Sequence, residues 1–181
     1  MTRSRRRRTA LRLAELLRPD AFDALLLGLY GPELMPAQRP VLVSQWSKYY
    51  FAVLWRAALV GRAPLQVQAL EVTLDGRGLP TDLSTSAAVG GVAAVLERHL
   101  PAIVEQLAVL GSVPAAVLWG NAGDCLEQIA GERPEVQRLL DTPGNPLYGA
   151  VRYTPDGRRV RRTCCLSYKV EWVGRCAQCP L

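Results

Sequence analysis

Residues 44–61, SQWSKYYFAVLWRAALVG, decide how the rest of the chain has to be arranged. The stretch is apolar almost all the way round a helix. It therefore predicts a buried central helix over 44–60, with Ser44 as N-cap and Gly61 in the C-cap region. Lys48 and Arg56 interrupt it, so it is not a membrane helix, and no stretch of the chain reaches ~18 uninterrupted apolar residues. A helix buried on every side needs partners on every side, and the flanking sequence supplies them.

Upstream, residues 9–17 read as a short amphipathic helix. Arg18-Pro19-Asp20 makes a break, and residues 21–30 form a second helix closed by Gly31-Pro32. Downstream, residues 65–74 read as a strand ended by the turn Asp75-Gly76-Arg77-Gly78. Thr81 stands where a third glycine would complete a dinucleotide loop, so no nucleotide site is expected there. Residues 86–110 read as a long helical region broken near His99-Leu100 by Pro101. Residues 115–119 suggest a short apolar strand, Asn121 the cap of a helix to residue 130, and Pro134 the first turn of a helix to residue 140. Residues 142–146 read as a loop. Residues 151–153 and 160–163 flank Pro155-Asp156-Gly157 as a hairpin. The expected fold class is α+β, mainly helical with a small antiparallel sheet.

The chain has 181 residues, 49% hydrophobic and 21% charged, which excludes a disordered polypeptide and suits one domain. Of the net charge of +6, Arg3, Arg5, Arg6, Arg7 and Arg8 account for five, leaving +1 for the remainder. The basicity is a tail rather than a groove, so residues 1–8 are expected to be a disordered arm, and no nucleic-acid partner is expected. Arg12, Glu15 and Arg18 fall where an export signal needs apolar residues, which gives the expectation of a cytoplasmic protein. A single histidine, His99, excludes zinc-protease boxes and centres with two histidine ligands. It is expected to be structural or solvent-facing.

Four of the five cysteines crowd into the last eighteen residues, in RRTCCLSYKVEWVGRCAQCPL (161–181). Clustered thiols without an export signal point to a metal rather than a disulfide framework. The Cys-x2-Cys half is common to zinc ribbons and iron–sulfur proteins. The vicinal pair Cys164-Cys165 discriminates better. Adjacent residues of an extended chain point to opposite faces, so their sulfurs converge on one ion with difficulty, and a two-iron body accepts them more readily. Cys125 lies apart, beside Leu126 and Ile129, and reads as a buried free thiol.

The tail resembles the C-terminal signature of the FhuF-type ferric-siderophore reductase family, Cys-Cys-x10-Cys-x2-Cys followed by proline. VLVSQWSKYYFAVLW (41–55), LDGRGLP (74–80), LWGNAGDCLE (118–127) and NPLYGAVRY (145–153) are similar to family blocks in the same order, so the resemblance covers about residues 40–181. Cys125 is outside the family's motif. The resemblance implies a [2Fe–2S] cluster held by Cys164, Cys165, Cys176 and Cys179. It also implies one-electron reduction of iron(III) in a siderophore, usually of the hydroxamate type, in the cytoplasm. Residues 9–181 are then expected to be one reductase-like domain with a cluster-binding segment over 163–181.

The residues fit such chemistry. One electron converts tightly chelated iron(III) into weakly held iron(II), and iron–sulfur clusters move single electrons. The chain offers no flavin or nucleotide fingerprint, so the implied donor is an external ferredoxin or flavin-containing reductase. Arg158, Arg159, Arg161, Arg162, Lys169 and Arg175 lie close in sequence to the cysteines, either as a docking surface or as a solvated basic hairpin. Trp46, Tyr49, Tyr50 and Trp55 either line a cavity or pack the core. The alternatives are a zinc-stapled binding module and an iron–sulfur electron carrier.

Overall fold

The computed structural model describes residues 9–171 and 173–181. The arm expected over residues 1–8 lies outside the described residues. In chain order the elements are β1 (Thr9–Arg12), α1 (Leu13–Leu16), α2 (Pro19–Tyr30), α3 (Arg39–Ala58), β2 (Ala63–Pro64), β3 (Leu70–Leu74), β4 (Pro80–Thr85) and β5 (Val89–Gly90). There follow α4 (Val92–Arg98), α5 (Leu100–Gly111), α6 (Ala115–Ala130), α7 (Pro134–Asp141), β6 (Val151–Tyr153) and β7 (Arg159–Arg161). The class is α+β, helical with small antiparallel sheets.

Helix α3 is the central helix, as its sequence demands. Val43, Trp46, Tyr50, Phe51, Leu54 and Trp55 are all fully buried, each contributing roughly 1.5–3 kcal/mol by leaving water. Trp46 meets Phe22 edge-on at 5.0 Å and stacks on Tyr50 at 5.7 Å, while Trp55 Nε1 donates to Ala122 O on α6. These three aromatics are core, and Tyr49 alone of the four faces solvent. The helix starts earlier than its cap signals suggest: Pro40 occupies its first turn, and Ser44 lies a full turn inside, buried. His99 marks the break between α4 and α5 and is buried, its Nε2 2.7 Å from the Tyr50 hydroxyl. Burial pushes its pKa down to about 4, so it is neutral and structural.

One side of α3 is covered by a three-stranded antiparallel sheet in the order β1–β3–β4. Residues 9–12 are a strand here, not the start of a helix, because Leu11 pairs with Val72 and the segment closes the open edge of β3. The expected strand over 65–74 is regular only from Leu70, after a 3-10 turn at Val67–Ala69. The turn after Leu74 is as expected, with Asp75 Oδ1 accepting from the backbone N–H groups of Arg77 and Leu79. Its continuation, β4, is not signalled by the sequence, because it opens on a proline tolerated only at a sheet edge and is polar on one face.

The other side of α3 is covered by α6, its most extensive partner. The strand expected at 115–119 and the cap expected at Asn121 are both corrected: Ala115–Ala130 is one helix. A short apolar run cannot be told from a buried helical turn by periodicity, and Pro114 supplies the start. Two glycines of α6 let the following hairpin come close. A Cβ on Gly123 would lie 2.3 Å from that of Ala150, and one on Gly120 would strike Thr163 Oγ1. The β6–β7 hairpin forms where expected, and the cysteine tail leaves β7 to lie across α3.

Candidate metal centre

Ser44, Gln45, Ser47 and Lys48 make a polar strip on one face of an otherwise apolar helix, because residues three and four apart share a face. The cysteine tail docks on that strip. Ser44 Oγ and Gln45 Nε2 both donate to Cys165 O at 2.9 Å, which fixes the backbone between the vicinal cysteines and Leu166. Lys48 Nζ donates to Gln45 Oε1 at 3.2 Å, which ties its ammonium to the side chain that holds the Cys165 carbonyl. Behind the strip, Asn121 Nδ2 donates to Ser44 O, Ser44 Oγ and Ser47 Oγ at 2.9–3.0 Å. Its Oδ1 accepts from Arg161 Nη2, so a chain of polar contacts runs from α3 through α6 to β7.

Arg161 is 1% exposed and Asp124 4% exposed, and their charges lie 3.4 Å apart. Arg159 reaches Asp124 Oδ1 at 2.8 Å and Glu127 Oε2 at 2.6 Å, and Tyr153 donates to the other Glu127 oxygen. Two of the six cations expected to dock a partner or face water are therefore committed inside the protein. Buried pairs of this kind contribute little net stability when intact, but breaking one leaves an uncompensated charge.

The four tail cysteines are brought together, but as two pairs. Cys165 Sγ lies 3.8 Å from Cys176 Sγ, which leaves Cys164 and Cys179 as the second pair. Leu166 takes a left-handed conformation, φ +66°, which turns its N–H back to Cys164 Sγ at 3.3 Å. Cys179 N–H donates to Cys176 O at 3.0 Å, and Arg161 N–H to Gln178 O at 3.0 Å. Burial would raise the Cys165 thiol, but the Ser167 hydroxyl at 3.5 Å and the Lys48 ammonium outweigh it and lower its pKa to about 6. Burial, opposed by Lys48 and Arg161, leaves the Cys176 thiol above its ordinary value beside that acidic neighbour. Cys125 is buried and apart, its S–H facing Lys48 O, and burial followed by the Asp124 carboxylate pushes it up to about 12.

Among the described residues, no three Cys, His, Asp or Glu side chains converge on a point where one ion would sit. Two pairs of thiols suit a body with two metal atoms better than a single tetrahedral ion, which requires all four donors at one centre. Beside Cys164, Thr163 joins Trp119, Asn145, Tyr148 and Arg162 around an open cleft of about 380 Å³.

Residues 161–181 match the family model described as the FhuF 2Fe–2S C-terminal domain. The C-terminal segment is thus similar to an FhuF-type 2Fe–2S domain. Its cofactor is a [2Fe–2S] cluster, in agreement with the two thiol pairs. The chain is also similar to a ferric siderophore reductase of Escherichia coli (strain K12), 27% identical over 103 residues. That similarity covers 48% of this chain, which spans 39% of the relative's length. No described helix is long and apolar enough to cross a membrane.

The sequence singles out the four thiols of the C-terminal segment but not what holds them. By sequence Ser44 reads as a cap and Lys48 only as a reason against a membrane helix. Their spacing of four in an apolar helix was the available signal, as was the spacing of three between Asn121 and Asp124.

Proposed function

We propose that this chain is an iron–sulfur oxidoreductase that passes one electron to iron(III) in a siderophore and so releases iron(II). The observation that carries the reading is the pairing of the tail thiols beside an open cleft. Cys164, Cys165, Cys176 and Cys179 hold the cluster, which when bound supplies single-electron transfer. Residues 9–181 act as one domain, of which 163–181 bind the cluster. Ser44 and Gln45 hold the Cys165 carbonyl in place, and Lys48 sets a positive charge against the sulfurs. Trp119 and Tyr148 give the chelate an apolar wall, with the Arg162 guanidinium and the Asn145 amide available to its oxygens. The iron(III) chelate is the substrate, and iron(II), less charged, leaves it.

The substrate is of the hydroxamate type on energetic grounds. Each tenfold preference of a chelator for iron(III) over iron(II) lowers its potential by about 59 mV. Clusters of the plant ferredoxin type reach roughly −400 mV, within range of hydroxamates and short of the tightest catecholates. The electron comes from an external ferredoxin or flavin reductase in the cytoplasm.

The test uses protein purified without air and chemically reduced. A ferric hydroxamate should reoxidise it, with iron(II) captured by a ferrous chelator. A ferric tris-catecholate should react slowly or not at all, and NADPH alone should not reduce the cluster. A reduced protein that ignored every ferric chelate yet exchanged electrons with a protein partner would be an electron carrier instead. A colourless, zinc-loaded protein would be a binding module.

A further inference from the structure

The four ligands belong to the reading above; which of them shares an iron, and which iron takes the electron, goes beyond it. Two thiolates on one tetrahedral metal with metal–sulfur bonds of about 2.3 Å lie about 3.8 Å apart. Cys165 and Cys176 already stand at 3.8 Å, although ten residues separate them, which leaves Cys164 and Cys179 for the other metal. The vicinal cysteines therefore part company, as alternating side chains on an extended backbone must. Their separation is held from outside: Ser44 and Gln45 pin the Cys165 carbonyl, and the left-handed Leu166 turns its N–H onto Cys164. The pairing crosses the Cys-x2-Cys turn rather than following it.

The two pairs sit in different fields. Lys48 Nζ is hydrogen-bonded to Gln45, the residue that holds the Cys165 carbonyl, so its positive charge stands on the Cys165 side. Ser167 stands 3.5 Å from Cys165 Sγ. Cys164 Sγ accepts one backbone N–H, from Leu166 at 3.3 Å, with no cation beside it among the described contacts. An added electron settles where positive charge is concentrated.

We infer that Cys165 and Cys176 share one iron and Cys164 and Cys179 the other, and that the Cys165–Cys176 iron is the one reduced. Lys48 is a positioning residue for that electron. A single electron from an external one-electron donor takes this iron from the ferric to the ferrous state, and the other iron stays ferric.

The test is proton magnetic resonance on the reduced, cluster-loaded full chain, with the cysteine β-CH2 groups isotopically labelled and assigned one by one. Protons on the ferric side lose hyperfine shift on warming, and those on the ferrous side show the opposite trend. The expected result is Cys165 and Cys176 in the ferrous set and Cys164 and Cys179 in the ferric set. Any other division, the reverse included, overturns the inference. Lys48→Gln, which leaves every ligand in place, should move the Cys165 and Cys176 signals and lower electron affinity about tenfold, about 59 mV in midpoint potential. Lys48→Arg should restore most of that, and an unchanged potential in Lys48→Gln would overturn the role of Lys48. A protein with no iron at all would instead defeat the proposed function, so the two failures are distinguishable.

Discussion

Gly123→Ala tests whether close approach of α6 to the hairpin governs the site. Alanine in place of glycine within a helix is ordinarily worth about 1 kcal/mol of added stability. Here the new methyl would lie 2.3 Å from Ala150 Cβ, whereas carbon atoms rest about 3.5–4.0 Å apart. Ala150 has no side-chain torsion with which to turn aside, so helix and hairpin must separate by more than about 1 Å. Overpacking of this kind costs about 1–3 kcal/mol, leaving the variant less stable despite its better helix former. Because α6 also carries Asn121 and Asp124, the separation should weaken the seat of the tail and accelerate cluster loss. The control lies in the same contact. With Ala150→Gly in the same chain, the next atoms around the new methyl are Leu147 Cδ2 and O, both at 3.7 Å, an ordinary contact. The double variant should return to within about 1 kcal/mol of the parent, a strong departure from additivity. Urea unfolding of the cluster-loaded protein, followed by circular dichroism and by cluster absorbance, measures both effects. A Gly123→Ala protein as stable as the parent, or a cycle that simply adds, would refute the reasoning.

Replacing Arg161 with Gln should cost roughly 1–3 kcal/mol and lower iron content, since it leaves Asp124 with Arg159 as its remaining cation and takes the donor from Asn121 Oδ1; thermal unfolding and metal analysis check both. His99 is held neutral with its pKa near 4 against 6.5 unfolded, so the unfolded chain takes up its proton first as pH falls. Stability should thus be fully present above pH 6.5 and decline by about 3 kcal/mol towards pH 4, a slope that His99→Gln should flatten in unfolding titrations. Serine at Cys164, Cys165, Cys176 or Cys179 should sharply reduce iron and acid-labile sulfide, whereas Cys125→Ser should keep both. Deleting residues 1–8 should leave the cluster spectrum and turnover unchanged, but deletion through Arg12 uncovers the edge of β3 and should lower the melting temperature.

What the sequence discloses and what it conceals divide along physical lines. The stretch around Trp46, Tyr50 and Trp55 announces a buried helix because no surface tolerates so many large apolar groups together. The break at His99 and the hairpin at Pro155-Asp156-Gly157 are local backbone chemistry and equally legible. The strand at Thr9–Arg12 is not, since its conformation is dictated by a partner sixty residues away. Ala115–Trp119 misleads because four or five apolar residues carry no period. At the site, the thiols are legible from their crowding, and the two-metal preference from the vicinal pair. Their supports come from α3 and α6, over a hundred and about forty residues distant, and tertiary pairing at such separations leaves no local trace.

The hydrogen bond from Ser44 to the Cys165 carbonyl spans 121 residues of chain. Closing so long a loop is entropically costly until the helices that carry its ends are already packed. The helical body should therefore assemble before the tail settles on it, and iron and sulfide would then meet a nearly finished protein. A cluster-free form with Ser44, Gln45 and Lys48 already in place should then be isolable, and rebuilding a damaged centre should not require the body to unfold.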